Sequence, residues 1–449
     1  MATNVTSGLS LSNSTSLGQG IDIQQFVNLA LSGDQANISN LQNSQSILNA
    51  QSTALAKINT DLNNLQSAVF ALNDPLGSLA SQVATSSNTN VLNATASASA
   101  LPGVHTVTVT NLATTSSYYT DPVAASTTTL SNGSFQIKVG SNSPVSITVG
   151  SGTNTLDSLA ASINSQNAGV RASVITDANG ARLALVSETT GAPGDITVSS
   201  NTTGLNFNKA VTGTNASLTV DGVPISSTSN TVANVINGVT LNLAAPAPGA
   251  PVTIAVNPDT SKASDAINQF VSAYNTAISD VNAQFNVAAD GSGGGPLEAD
   301  GSLREAQSAL LGAVSYAISG NGGIVNLASL GVNLNNDGTL SVDNGTLNSA
   351  LAGNFSAVQN LLQSASTGFA ANLSSVLTNL TDPASGVLGI DATSISQSSR
   401  DLGQQIADLQ AALSVRQQQL TQVYAQVNTT LQELPLLQSQ LSQQLAGLG

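Results

Sequence analysis

The stretch "LAKINTDLNNLQSAVFAL" at residues 55–72 places six apolar side chains at alternating steps of three and four residues. This spacing puts all six on one stripe of an α-helix, because the helix turns once in about 3.6 residues. The stripe consists of Leu55, Ile58, Leu62, Leu65, Val69 and Leu72. The only charged residues in this stretch are Lys57 and Asp61. The pattern therefore predicts a helix that buries one face against a partner elsewhere in the chain.

A second apolar stripe runs from Leu402 toward the C-terminus, with an unbroken column at seven-residue spacing that starts at Ile406. Pro435 is expected to kink or split this helix near its end. The first helix is expected to start near Asp22, a typical N-cap, and to stop at "NDPLG" (73–77). A stripe near each end predicts that the chain folds back and that its ends pair as a coiled-coil-like bundle. The predicted helix-pairing and assembly seam consists of Leu41, Leu48, Leu55, Ile58, Leu62, Leu65, Val69, Leu72, Leu402, Ile406, Leu409, Leu413, Leu420, Val423, Val427, Leu434 and Leu441.

The composition argues against several classes of function. Charged residues make up 7% of the 449 residues, and His105 is the single histidine, which is a poor stock for acid–base catalysis. Nine Lys and Arg against 24 Asp and Glu give a net charge of −15, which opposes binding to nucleic acid or anionic lipid. We expect no enzyme activity, no cofactor and no membrane span, and the chain has no cysteine for disulfides or thiolate metal sites.

The middle of the chain changes to a two-residue alternation that is typical of half-buried strands. Short alternating runs are bounded by Gly, Pro, Asn or Ser, and "DANG" (177–180) is typical of a hairpin turn. One short helix is expected at "TLDSLAASINSQ" (155–166), and the helical period returns after "NPDTSK" (257–262). The sequence thus predicts an α+β multidomain protein in which mainly antiparallel β domains are inserted between long terminal helices. The runs lie at 105–112, 135–140, 144–150, 170–188, 216–225, 238–243 and 251–256.

One segment allows two interpretations. "NLNNDGTLSVDN" (333–344) has the Asn-x-Asn-x-Asp-Gly pattern of a calcium loop, but Asn333 and Asn344 stand where that loop needs acids. "NNDG" between two alternating runs is also a good hairpin turn, which we expect here. His105 begins a strand with no acid cluster near it in sequence, so we expect a structural role for it.

Several segments resemble the flagellar filament-capping protein family, also called hook-associated protein 2. "SLGQGIDIQQFV" (16–27) is similar to its N-terminal signature, and "ASLTVDGVPISSTSNTVANVINGVTLNL" (216–243) resembles its most specific block. "LASLGVNLNNDGTLSVDNGTLNSAL" (327–351) and "LTQVYAQVNTTLQEL" (420–434) resemble later segments, although Tyr424 stands where that family often has Phe. A further stretch, 161–191, resembles a module shared with flagellins.

The resemblance implies a protein that leaves the cell through the flagellar export apparatus and acts outside it at the tip of the flagellum. It implies a pentamer-like homo-oligomeric ring that helps flagellin subunits fold and insert and prevents their loss. Implied partners are flagellin, further copies of the chain, the hook–filament junction proteins and an export chaperone. Other flagellar axial proteins, such as a flagellin or a junction protein, and surface adhesins are the alternatives, and a hydrolase is a distant third.

The resemblance also implies a division of the chain into nested units. Residues 1–37 and 400–449 would be terminal helical legs, partly disordered before assembly, and 38–80 with 258–399 would form a helical bundle domain. Residues 81–125 with 214–257 would form a β domain. Residues 126–213 would form an inserted outer β domain with the flagellin-like module.

Overall fold

The computed structural model of the chain describes residues 22–286 and 293–446. Within these ranges the chain forms eight α-helices, of which the first and the last are by far the longest. They are α1 (Ile23–Asn73), α2 (Leu156–Ser165), α3 (Thr260–Phe285), α4 (Gly301–Val314), α5 (Asn344–Gly353), α6 (Phe355–Gln363), α7 (Phe369–Thr381) and α8 (Val387–Ala446). Helices α1 and α8 carry the two terminal apolar stripes. Helix α8 is not split at Pro435, contrary to one of the two outcomes expected there.

The same ranges contain 17 β-strands, and every pair of neighbouring strands is antiparallel. The strands are β1 (Gln82–Ser86), β2 (Leu92–Ala96), β3 (Gly103–Asn111), β4 (Thr115–Thr120), β5 (Gly133–Val139), β6 (Val145–Val149), β7 (Val170–Asp177), β8 (Gly180–Thr190), β9 (Ile196–Ser199), β10 (Phe207–Val211), β11 (Ala216–Val220), β12 (Val223–Ser227), β13 (Thr231–Ile236), β14 (Val239–Leu243), β15 (Val252–Pro258), β16 (Val332–Leu334) and β17 (Leu340–Val342). The predicted α+β fold with inserted antiparallel sheets is confirmed.

The stripe at 55–72 has its partner in a helical core. All six of its residues are buried, and they belong to one hydrophobic cluster with residues of α3, α4, α5, α6, α7 and the first turns of α8. Phe270 and Phe369 meet edge to face at the centre of this cluster, with ring centroids 5.3 Å apart. Within the helical core, the C-terminal half of α1 therefore packs mainly against helices that follow the β region in sequence.

A β domain follows α1 in sequence and returns just before α3. Its larger sheet has the strand order β1-β15-β3-β11-β12, and its smaller sheet has the order β13-β14-β2. Inward residues of both sheets, such as Val107, Ile254 and Leu241, belong to one buried cluster. Two sheets that share one apolar core form a sandwich. Since β1 pairs with β15, the chain enters and leaves this domain on adjacent strands.

An outer unit is inserted between β3 and β11. It combines the sheet β10-β4-β8-β7, the sheet β6-β5-β9 and α2 around a second buried cluster that includes Phe135, Leu159 and Leu185. Its first strand is β4, which hydrogen-bonds to β8 and β10. The structure thus starts the outer unit before residue 126, where the sequence places the boundary, because β4 pairs within the outer sheet and not with β3.

Local sequence signals fix the ends of several elements. The Asp22 side chain accepts a hydrogen bond from Gln25 N at 3.1 Å and so caps α1. Thr155 and Ser158 form a reciprocal capping box at the start of α2. The "DANG" turn joins β7 to β8, where Asp177 pairs with Gly180. The Asp22 cap, the short helix within 155–166 and the turn at 177–180 agree with their sequence predictions.

The predicted legs are helical wherever the structure describes them. Residues 23–37 belong to α1 and residues 400–446 belong to α8, and the disorder before assembly that the resemblance implies stays a prediction. Residues 1–21 and 447–449 of the predicted legs lie outside the described residues. In the described part of the chain, no helix has both the length and the apolar character needed to cross a lipid bilayer.

Candidate functional site: the paired terminal helices

The N-terminal half of α1 lies antiparallel to the middle of α8. The Arg416 guanidinium donates to the Asp34 carboxylate at 2.9 Å. The rings of Phe26 and Tyr424 lie 5.9 Å apart. Phe26 precedes Asp34 by eight residues, and Tyr424 follows Arg416 by eight residues, so the two helices advance in step. We call α1 residues 23–49 and α8 residues 399–427 the terminal pair.

Polar contacts close the inner end of the terminal pair, next to the helical core. Gln45 Nε2 donates to the Ser399 carbonyl at 3.2 Å, and the Ser399 hydroxyl lies 2.7 Å from Asn49 Oδ1. A Cβ atom on Gly403 would lie 2.8 Å from Gln45 Nε2, so the Gln45 side chain lies directly against the α8 backbone at this glycine. These contacts fix the level at which α8 leaves the core and begins to follow α1.

The terminal pair buries α1 residues that the predicted seam does not include. Val27, Leu31 and Ile38 are buried, whereas the predicted Leu41 and Leu48 are only half-buried. The buried residues recur at steps of four and seven, which is the signal that could have identified them. The predicted column followed the register of residues 55–72 backward. Val27 lies on that column, fourteen residues before Leu41, whereas Leu31 and Ile38 each lie three residues before a column position.

The α8 half of the predicted seam divides into two parts. Ile406 is buried, and Leu402, Leu413 and Leu420 are half-buried where α8 runs beside α1. The other predicted seam residues of α8 are exposed, and so are neighbouring leucines. The exposed set consists of Leu409, Val423, Val427, Leu431, Leu434, Leu436, Leu437, Leu441 and Leu445.

The last part of α8 projects beyond the first described turn of α1. By the antiparallel register, Ile23 lies level with residue 427, and residues 428–446 then continue for about 28 Å at the helical rise. Leu434, Leu437 and Leu441 recur here at the spacing of a heptad seam, and no described residue covers them. We call residues 428–446 the distal α8 segment. Exposed leucines at this spacing are typical of a helix that binds another helix.

The two other candidate sites have local structural roles. Residues 335–338 form the turn between β16 and β17, where Asp337 Oδ1 accepts from the amide and hydroxyl of Thr339. The hairpin interpretation of "NNDG" is therefore confirmed, and these hydrogen bonds lower the pKa of Asp337. His105 Nδ1 lies 2.8 Å from Asp221 Oδ2, and this contact helps to lower the pKa of Asp221. Residues 22–286 and 293–446 hold no group of three or more His, Asp or Glu side chains arranged to bind a metal.

Three family models match successive parts of the chain. The model described as flagellar hook-associated protein 2 N-terminus matches residues 19–116, and the one described as its C-terminus matches residues 213–435. A flagellin hook IN motif matches residues 134–189, within the outer unit. The matches cover α1, the β domain and most of α8, so they include both helices of the terminal pair.

Relatives resemble the chain over most of its length. The B-type flagellar hook-associated protein 2 of Pseudomonas aeruginosa is 31% identical over 427 residues, which are 88% of this chain and 89% of the relative. The flagellar hook-associated protein 2 of Escherichia coli is 28% identical over 397 residues, which are 82% of this chain and 84% of the relative. The crystal structure of the D1-D2-D3 domains of the flagellar cap protein FliD from Escherichia coli matches with a TM-score of 0.57 at 28% sequence identity. The match covers 76% of this chain and 99% of the Escherichia coli chain.

Proposed function

The chain belongs to the flagellar hook-associated protein 2 family, and on that premise we propose that it caps the distal end of the flagellar filament. The observation that carries the proposal is the match to hook-associated protein 2 relatives over nearly nine-tenths of the chain. The C-terminal family match spans the block at 216–243, which a flagellin should lack. This match favours a cap over a flagellin, a junction protein or an adhesin. The role is structural and requires no catalytic group or cofactor.

In this role the protein forms a homo-oligomeric, pentamer-like ring at the filament tip. Flagellin subunits that arrive at the tip fold and insert beneath the ring and are not lost to the medium. The chain reaches the tip through the flagellar export apparatus, with an export chaperone as its partner inside the cell, and it first docks on the hook–filament junction proteins. A chain with 7% charged residues and no cysteine suits export in an unfolded state, because it needs no disulfide to refold outside.

Each structural unit has a part in the cap. The helical core and the terminal pair form a leg that reaches toward the filament, and the β domain and the outer unit form the plate above it. The distal α8 segment supplies the apolar surface that meets helices of neighbouring subunits in the filament. Its leucines are exposed in the single chain, and burying one such side chain contributes about 1.5–3 kcal/mol.

A deletion strain of the source bacterium tests the cap proposal. Cells without the gene should keep their hooks, lose motility and release flagellin monomers into the medium. Expression of the intact gene should restore filaments. Antibodies against flagellin would show how much flagellin is in the cell-attached filaments and how much is in the medium. Full-length filaments on cells that lack the protein would contradict the proposal.

A further inference from the structure

One edge of the outer sheet is covered by a side chain. Strand β7 lies at the end of the order β10-β4-β8-β7, so one side of its backbone faces away from the sheet. Asn164 of α2 reaches this side of β7. Its Nδ2 donates to the Ala172 carbonyl at 2.9 Å, and the Ala172 amide donates to its Oδ1 at 2.7 Å. The amide group of Asn164 thus bonds Ala172 in the way that a residue of a neighbouring strand would.

The bonds to Asn164 show which residues of β7 present backbone groups at the edge. In an antiparallel strand, the N–H and C=O groups of successive residues point alternately to one side and to the other. Since the groups of Ala172 point away from β8, those of Val174 and Thr176 do so too, and the odd-numbered residues bond to β8. In the described part of the chain, no strand pairs with this side of β7. The open length of the edge therefore begins just beyond the residue that Asn164 covers.

The core of the outer unit holds Asn164 at this edge. Its neighbour Ile163 is fully buried, as is Leu159 one turn earlier, and both belong to the hydrophobic cluster of the outer unit. Asn164 itself is exposed, so other chains can reach the place where it bonds Ala172. Unpaired backbone groups at an edge can pair with a strand of another chain, and a side chain that occupies them prevents this. The edge strand β12 of the β domain has a comparable feature in Pro224, which has no amide hydrogen to offer.

Strand β7 has opposite charges near its two ends. In "VRASVITD" (170–177), Arg171 and Asp177 stand at equal distances along the strand from Val174. In an antiparallel pair of two β7 strands centred on Val174, Arg171 of each copy would lie opposite Asp177 of the other. Arg171 is exposed, and none of the salt bridges among the described residues involves it. Because opposite charges directly across two strands stabilise their pairing, the occupant that fits this edge is the same edge of a second copy.

We propose that Asn164 keeps the β7 edge closed against pairing with the β7 edge of another copy. In the antiparallel pair, Ala172 of one copy would bond with Thr176 of the other, and the two Val174 residues would bond with each other. Asn164 occupies the Ala172 groups in both copies, so only the central Val174 pair can still form its hydrogen bonds. The outer units of crowded copies therefore stay separate at this edge.

Analytical ultracentrifugation of full-length proteins over a range of concentrations tests the proposal. Asn164→Ala should associate at concentrations at least about tenfold lower than the natural chain, because its Ala172 groups are free to pair. Adding Thr176→Pro should reverse this effect, since proline removes an edge amide that the pair needs. Ser165→Ala is the matched control and should behave like the natural chain. Ser165 is exposed on α2, and its hydroxyl donates to the Ser162 carbonyl of the same helix at 2.7 Å.

Two further measurements locate the association at the β7 edge. The Ala172 amide should exchange hydrogen faster in dilute Asn164→Ala than in the natural chain, and it should regain protection as the protein associates. Adding Arg171→Glu to Asn164→Ala should weaken the association, because like charges would then lie opposite each other at Asp177.

Two results would overturn the proposal. One is an Asn164→Ala protein that associates no more strongly than the natural chain, and the other is a stronger association that Thr176→Pro does not reverse. Assembly of the cap is common to all of these proteins and is measured in the natural chain. Either result would therefore leave the proposed function standing.

Discussion

Gly140 shows how a single backbone position holds the outer unit together. It follows β5 with a φ of +54°, a region that residues with side chains rarely adopt. Its amide donates to the Asp195 carbonyl at 2.8 Å. A Cβ atom here would lie 2.2 Å from the Pro193 carbonyl oxygen, which belongs to the backbone and cannot rotate away.

We expect Gly140→Ala to lower the free energy of unfolding of the outer unit by at least about 1–3 kcal/mol, since strain and a backbone clash act together. Gly152→Ala is the control, because Gly152 also has a positive φ of +88° but has open space around the Cβ position. Gly152→Ala should therefore show only the loss of unfolding free energy that is due to backbone strain. Urea unfolding followed by circular dichroism measures both changes. Equal losses of unfolding free energy in the two variants would mean that the clash with the Pro193 carbonyl oxygen does not contribute to the effect.

At the level of single elements, one substitution can disrupt the contact between the two helices of the terminal pair and leave the helical core folded. By the antiparallel register, Leu420 lies level with residue 30, next to the buried Leu31. Replacing Leu420 with Asp places a charge against this apolar surface, where an ion is poorly solvated. The helical core is packed around other residues and should remain folded.

We expect Leu420→Asp to increase hydrogen exchange in residues 23–37 of α1 and to fail to restore motility in a deletion strain. Thr430→Asp is the matched control. Thr430 is exposed in the distal α8 segment, beyond the level of Ile23, and lies outside the predicted column. Its effect should be milder in both measurements. If Thr430→Asp abolished motility and Leu420→Asp did not, the apolar column would face away from its partner.

Periodicity predicted individual elements well because the signals for a helix or a hairpin are local. The stripe at 55–72 and the Asn335–Gly338 turn depend on residues within one element, and the structure has both. Contacts between distant segments were harder to predict. Asp34 and Arg416 are separated by 382 positions, and nothing near either residue specifies the other. The pairing of β4 with β8 and β10 was missed for the same reason.

The whole molecule consists of units that are nested in the sequence. Residues 81–259 contain every strand of the β domain and of the outer unit, together with α2. Both hydrophobic clusters of these units lie wholly inside that range. The two edges of the range meet where β1 pairs with β15, so cutting there breaks few contacts.

We expect a fragment of residues 81–259 to fold as a soluble, mainly β protein. Its far-ultraviolet circular dichroism should show little helix, and its melting temperature should be the same in calcium and in a chelator. The full-length protein is the control for the melting temperature of these units. A fragment that is disordered, or that needs the helical core to become protease-resistant, would contradict the independence of the two clusters.

The nesting of the units in the sequence also sets the order in which they fold. The outer unit is one continuous segment, so the residues that form its core are close together in sequence. In the helical core, by contrast, Leu62 of α1 packs with residues of α3 and α7 that lie about 200 to 300 positions later in the chain. Rates of folding fall as the separation of contacting residues grows. The unit inserted in the middle therefore folds first, the β domain closes around its two connections, and the helical core is completed last. The first helix to be made is thus among the last to bury its apolar face.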